Sequence, residues 1–363
     1  MKLQVAQTNL AKALNTVARV ANTRNTLPIL SNVLLKADNN RLSIAATNLD
    51  IAITHFIGSK IQDEGSITVP ARLMQDFVSS LPDSVLNLEL TDNKLSITND
   101  QYQSSINGIV ADDFPVMPAI KKGVTWKSPA AEFKKALSKV VFAASADDAR
   151  PVLGGVYCHT TAGQAVMAAT DSYRLAEAKL GKTSHPLNFL LPASAAQDLL
   201  RIISDTDKEV VVTHDDQQVL FHVGDISLVA RLIEGNYPDY RKLVPSKFAT
   251  IAKLTRADFM NITKVSSLFA RESAGSITIK ADKDANCLSI NAIASQLGEN
   301  TAKADAKITG GGDVTLNSRY LIEALNAFSA EEVEFCFNGK LEPVILRSVK
   351  EPDYLHLIMP LRS

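Results

Sequence analysis

The side chains with most to offer chemically are gathered in one stretch, Thr170-Asp171-Ser172-Tyr173-Arg174-Leu175-Ala176. Thr and Asp start turns, because their side chains bond the backbone two residues on. Tyr173 adds an aromatic face and Arg174 a planar fork of donors, two of the side chains most enriched at interface hot spots. The chemistry on offer is binding, without a nucleophile or an acid–base pair. A plain turn with a Tyr packed at its edge fits the same residues. The run Ala165-Val166-Met167-Ala168-Ala169 just before it reads as a buried strand that ends where the polar cluster begins.

A search for catalytic or metal-binding constellations yields little. Gly310-Gly311-Gly312 is not followed by Lys-Ser or Lys-Thr, so it reads as a turn and not a phosphate loop. Cys158-His159 is a lone pair with no second pair at metal-ligand spacing. His55, His159, His185, His214, His222 and His356 are scattered, none in an HExxH or nucleophile-elbow context. Asp112-Asp113 and Asp147-Asp148 sit in turn-like stretches and read as solvated turns. The expectation is a protein that is not an enzyme and needs no metal or other cofactor.

The elements that must position the cluster are written three times. Leu10, Leu14 and Val17 stand at helical spacing, as do Phe133, Leu137 and Val140, and a looser stripe runs from Phe259 through Ile262 to Phe269. Leu10 to Phe133 is 123 positions and Phe133 to Phe259 is 126. A second helix follows each first one, starting at Pro70, Pro192 and Asn317, at intervals of 122 and 125. Strand-like runs fill the rest, including Arg41–Ala45, Leu95–Ile97, Val210–Val212, Ser276–Ile279 and Val333–Phe335, separated by turn residues. Each unit reads as α+β: two helices on one face of mostly antiparallel sheet. The expected domains are residues 1–123, 124–248 and 249–363, each long enough for its own core.

Charge is segregated. Helix windows 8–20, 70–81, 130–143, 193–204, 256–271 and 317–329 hold eleven basic and five acidic side chains, a balance of +6 in a chain whose net charge is −1. Solvated helix faces often carry Lys, but a positive helical side is also what a phosphate-facing surface without base readout needs. Three well-separated cysteines, no apolar run near the ~20 residues of a membrane span and no apolar signal core after Met1 fit a reducing cytoplasm. An enzyme with a site between domains, or a structural homo-oligomer with a basic face, remain alternatives at this point.

The motifs in order resemble the bacterial DNA polymerase III beta subunit family, the replicative sliding clamps. The likeness rests on Arg24-Asn25-Thr26-Leu27-Pro28-Ile29-Leu30, Thr47-Asn48-Leu49-Asp50-Ile51, Val69-Pro70-Ala71-Arg72, Asp113-Phe114-Pro115, the Thr170–Ala176 stretch, Glu234-Gly235-Asn236-Tyr237-Pro238-Asp239-Tyr240 and the final Ile358-Met359-Pro360-Leu361-Arg362-Ser363. It implies a DNA clamp fold of three similar domains, and a head-to-tail homodimer forming a six-domain ring around double-stranded DNA, with helices inside. Arg24 and Arg150 match positions near the family's DNA path; Arg72, Lys134, Lys135, Lys139, Arg201 and Lys264, on the helices, would face phosphates. The implied partners are the DNA polymerase III core, the clamp loader, and other polymerases and repair proteins, which insert short, partly apolar peptides. In the family the ring is opened by a separate ATP-driven loader, and no membrane partner is expected.

The resemblance places the peptide pocket between the middle and last domains. Its walls would be Leu153, Thr170, Ser172, Tyr173, Arg174, Leu175, Pro238, Lys242, Leu243, Asn317, Tyr320, Leu341, Leu357, Met359, Pro360, Leu361 and Arg362, with Arg174 and Asn317 able to fix a peptide backbone. Taken without the family, each Leu or Met reads as plain core. Lys242 stands where the family often has Arg, Ser273 where some members carry Phe, and Ser363 where an apolar residue ends the chain. For the dimer interface, Ser104 and Ile106 of the first domain are expected to meet Leu268 of the third, although Ile106 and Leu268 fit a core equally well.

Overall fold

The computed structural model describes residues 1–21, 27–294 and 298–362. Arg24 and Ser363 therefore lie outside the described residues. Six helices are described: α1 (Gln7–Val17), α2 (Ala71–Ser80), α3 (Ala130–Val140), α4 (Ala193–Ile202), α5 (Arg256–Phe269) and α6 (Ser318–Ala327). Pro70 and Pro192 each close a strand directly before a helix, where a missing N–H costs nothing. Thr255 caps α5 by accepting from Asp258 N at 3.1 Å, and Asn317 caps α6 by accepting from Arg319 N at 2.9 Å. The stripes seen in the sequence are buried on α1 (Leu10, Leu14, Val17) and α3 (Phe133, Leu137, Val140), while on α5 Phe259 and Ile262 are buried and Phe269 is half-buried.

The chain folds into two compact units that do not follow its repeats. One comprises residues 1–131 and 197–232; the other comprises 132–196 and 233–363. The cause lies in the strands. The eight-stranded sheet of the first unit runs, edge to edge, Val124–Pro129, Glu209–His214, Gln218–Val223, Ile226–Arg231, Ile51–Gly58, Arg41–Thr47, Asn32–Asp38, Gly65–Pro70. Four of its strands come from the first repeat and four from the middle one, joined where Ile53 pairs Leu228. A five-stranded sheet of Lys60–Asp63, Lys2–Ala6, Val85–Thr91, Lys94–Thr98 and Gln103–Asn107 completes that unit, and α1 packs against α2.

The second unit repeats the plan. Its nine-stranded sheet joins Asn188–Pro192, Gly155–Thr161, Gln164–Thr170 and Arg174–Lys182 to Glu351–Ile358, Val344–Ser348, Glu332–Phe337, Thr250–Thr255 and Lys307–Thr309. The join is the antiparallel pair in which Leu175 faces Leu357. A four-stranded sheet, in the order Gly298–Asp305, Cys287–Ala294, Ser276–Asp282, Gly312–Asn317, lies in the same unit, where α5 packs against α6. All described strand pairs are antiparallel, as the alternating runs predict.

Candidate binding site

Thr170 ends one strand and Arg174 begins the next, with a tight turn between. Asp171 Oδ1 accepts from the backbone N–H groups of Tyr173 and Arg174, both at 2.9 Å. The Thr170 hydroxyl donates to Arg174 O at 2.5 Å and accepts from Ser172 N at 3.1 Å. These bonds hold Ser172 at φ +77°, a left-handed conformation. Tyr173 at the tip is thereby pushed into solvent, 61% exposed.

Arg174 is 6% exposed, and each of its three nitrogens makes a bond inside the protein. Nε donates to Asp171 Oδ2 at 3.0 Å, Nη1 to the Glu323 carboxylate on α6, and Nη2 to Phe142 O at 2.7 Å. The guanidinium also lies 4.7 Å from the Tyr320 ring centre. Burial pushes the Glu323 carboxyl up, but hydrogen bonds from Arg319 and Arg174 outweigh it and hold it below the usual range. Arg174, expected to fix a peptide backbone, thus positions its own neighbours, with one bond from each nitrogen made inside the protein. The ring it supports, Tyr320, stacks on Tyr173 at 6.5 Å between centres. Asn317 is likewise committed, capping α6 and donating from Nδ2 to Ala274 O at 3.2 Å.

Beside the turn lies an apolar floor. Leu175 and Leu357 are buried in one cluster with Ala168, Tyr240, Cys336 and Ile345, and half-buried Met359 packs against it. Met359 N donates to Tyr173 O at 2.8 Å and Leu361 N to Thr315 O at 2.8 Å, so the C-terminal residues run on alongside the turn. Leu153 is buried after the Pro151–Leu153 turn. Arg150, expected on a DNA path, donates from Nη1 to Ser172 Oγ at 3.1 Å, beside the turn that displays Tyr173. Pro238, Lys242 and Leu243 lie on a strap, residues 233–249, with Lys242 Nζ 2.9 Å from Asp239 Oδ2. Leu341 stands exposed on a loop, Pro360 is half-buried, Arg362 is exposed, and the Ser273 hydroxyl bonds Ala270 O.

Sequence reasoning missed the polar side chains beneath this floor. Glu177, Tyr240 and His159 form a buried cluster with the exposed Arg241 at its edge, signalled only by a carboxylate and an imidazole set in otherwise apolar strands. Cys158 and His159 point to opposite sides of their strand. Burial pushes the Cys158 thiol up to about 12, while His159 bonds Tyr240, so the pair forms no nucleophilic site. Among the described residues no group of His, Cys, Asp and Glu could hold a metal ion, and no helix is long and apolar enough to cross a membrane.

The basic side chains on the helices divide. Arg72, Lys135 and Lys264 are exposed and Lys134 is half-buried. Lys139 is a correction: its ammonium is buried in an ion pair with Glu351 at 2.6 Å, so it faces no phosphate. Arg201 pairs with Asp198 at 2.9 Å yet stays exposed. With Lys12, Arg19, Thr8, Asn15 and Thr16 it lines a groove of about 550 Å³ in the first unit. Burial holds the Asp198 carboxyl above its ordinary range against the opposing pull of Arg201. Ile106 is a second correction. It is 6% exposed and, on the edge strand of the five-stranded sheet, pairs with Leu95, its side chain in the core; Ser104 beside it is half-buried, and Leu268 on α5 is 51% exposed.

Three family models match in tandem: the N-terminal domain of the DNA polymerase III beta subunit over residues 1–118, its central domain over 128–239 and its C-terminal domain over 241–362. A beta sliding clamp of Synechocystis is 31% identical over 388 residues, covering 100% of this chain and 99% of the relative. The DNA polymerase sliding clamp of Bacillus subtilis superposes with a TM-score of 0.95 at 26% identity, over 100% of this chain and 99% of the other. The sliding clamp of Bartonella birtlesii bound to griselimycin superposes with a TM-score of 0.94 at 26% identity, over 100% of both chains.

Proposed function

Since the chain belongs to the DNA polymerase III beta subunit family, the beta sliding clamps, we propose that it forms a ring of two copies around duplex DNA and holds its partners through the cleft beside Tyr173. In this reading the three domains span residues 1–123, 124–248 and 249–363, and the chain is a non-catalytic processivity subunit acting on chromosomal DNA in the cytoplasm. Exposed Arg72, Lys135, Arg201 and Lys264 meet phosphates without reading bases. Two sheet edges support a head-to-tail dimer. Among the described residues, Gln103–Asn107 pairs only with Lys94–Thr98, and Gly298–Asp305 only with Cys287–Ala294, leaving a row of backbone groups free on each. Leu268 and Val265 are exposed on α5 in the unit that holds the second edge.

The observation that carries the partner site is the convergence of Leu175, Leu357 and Met359 on one apolar cluster directly beside a turn that exposes Tyr173. Such a cleft takes an apolar peptide side chain against an adaptable Met, with Tyr173 as a rim anchor. Griselimycin, which the Bartonella clamp binds, would occupy the same cleft here. The polymerase III core, the clamp loader, other polymerases and repair proteins would compete for it with short peptide segments.

Two measurements test this. The purified protein should be retained on closed circular DNA after loading and released when that DNA is linearised; equal retention on both forms would rule out encirclement. Griselimycin binding by calorimetry should weaken at least about tenfold in Met359→Ala, the scale of a lost hot spot, with the dimer intact. Unchanged affinity would remove the cleft assignment.

A further inference from the structure

The strap that carries Pro238, Lys242 and Leu243 crosses the nine-stranded sheet between two close approaches. At one end Gly235 has φ +129°, and a Cβ there would meet Val152 Cγ1 at 2.6 Å. At the other end Gly310 has φ +80°, and a Cβ there would sit 2.0 Å from Ala249 O. Neither position accepts a side chain, so both approaches depend on glycine. Its far end is pinned by Asn338, which accepts from Ala249 N at 2.7 Å and donates to Lys247 O at 3.0 Å. Its middle, where the cleft residues are, is held differently.

Tyr240 places its ring in the apolar cluster with Leu175 and Leu357. Its hydroxyl donates to Glu177 Oε2 at 2.5 Å and contacts His159 Nε2 at 2.8 Å. A phenol has one proton, and the carboxylate takes it, so His159 must donate from Nε2. Its Nδ1 is then the acceptor for the Thr161 hydroxyl at 3.0 Å, and every buried polar atom in the chain of contacts is served. Arg241 Nη2 lies 3.7 Å from the same Glu177 Oε2. One carboxylate thus grips two successive strap residues, while Pro238 lies two positions before them and Lys242 and Leu243 directly follow. Glu177 stands on the strand that also supplies Arg174 and Leu175, and it is the odd charge in the run Leu175-Ala176-Glu177-Ala178.

We propose that Glu177 is the positioning residue of the partner cleft: through Tyr240 and Arg241 it fixes the wall formed by Pro238, Lys242 and Leu243 against the floor formed by Leu175, Leu357 and Met359. The proposal rests on the cleft reading above. It differs from a merely structural role in what it moves. A buried strut shifts global stability, whereas this clasp sets local order in the strap and, through it, ligand affinity.

The test uses the full dimeric protein with Glu177→Ala, Glu177→Gln and Tyr240→Phe. Hydrogen–deuterium exchange is read over residues 238–244 without ligand, and griselimycin affinity is read by calorimetry. Glu177→Ala and Tyr240→Phe should each speed exchange in this segment about tenfold or more, with the strand Glu332–Phe337 unchanged. Both should weaken griselimycin about threefold or more, and Glu177→Gln, which still accepts from the tyrosine, should restore most of both losses. Tyr240→Phe keeps the ring in the core, so it reports even where Glu177→Ala fails to fold. Exchange unchanged in the folded variants overturns the clasp. Faster exchange with unchanged affinity, while Met359→Ala abolishes binding, overturns the positioning role and leaves the cleft standing. Affinity unmoved by Met359→Ala as well removes the cleft, and this role with it.

Discussion

Each nitrogen of the Arg174 guanidinium makes one bond inside the protein, to Asp171, Glu323 and Phe142 O. Arg174→Ala should therefore cost stability before it costs binding. Two carboxylates lose a buried partner, which predicts a loss of about 2–4 kcal/mol by chemical denaturation. Arg174→Lys should recover little, because a point charge cannot reach three acceptors. The buried histidines make a prediction with a definite sign. Burial lowers His159 to about 4 and His356 to about 3, from ordinary values of 6.5. The unfolded chain then binds protons that the native state refuses, so stability is complete above 6.5. It falls as pH drops through the window from 6.5 to about 4 for His159 and to about 3 for His356. The slope is up to about 1.4 kcal/mol per pH unit for each histidine. Urea midpoints measured between pH 7 and 4 should fall, and His159→Gln should flatten part of that fall.

At the scale of elements, the sequence was at its most legible. The predicted helix windows overlie all six helices, because each is an amphipathic stripe whose apolar residues face a sheet. Strand runs such as Val210–Val212 and Val333–Phe335 were legible because buried antiparallel strands alternate. The cap of α5 is carried by one hydroxyl, Thr255 Oγ1, which accepts from Asp258 N and donates to Asp258 Oδ2. Thr255→Ala should lower stability by about 1 kcal/mol in thermal melts, and Thr255→Ser should lower it far less. Illegible altogether was which strands would join across repeats. No local pattern records that Leu175 faces Leu357, because pairing over so long a separation is decided by tertiary packing and not by propensity. The Glu177 cluster was hidden for the same reason: its partners lie tens of residues apart.

At the scale of the whole molecule, net charge of −1 conceals the segregation that matters. The groove lined by Lys12, Arg19 and Arg201 gives that segregation a place. Converting the three to Gln should shallow the salt dependence of DNA binding by about one unit of log–log slope for each phosphate no longer neutralised, measured by fluorescence anisotropy from low to high salt. An unchanged slope would take this groove out of the DNA path. A last consequence follows from the turn that displays Tyr173, because the chain carries that turn twice. At Thr47–Ile51, Thr47 Oγ1 donates to Ile51 O at 3.0 Å, Asn48 Oδ1 accepts from Asp50 N and Ile51 N, and Leu49 holds φ +79°. Even the neighbouring strand answers alike, with Arg231 N donating to Asp50 O at 2.8 Å as Met359 N does to Tyr173 O. Yet Leu49, Asp50, Ile51 and Arg231 stand where Ser172, Tyr173, Arg174 and Met359 stand in the other copy. The turn at Thr47–Ile51 is thus the same frame with other side chains on it. Grafting the four side chains onto it is a concrete route to a second port, built on backbone that already has the shape.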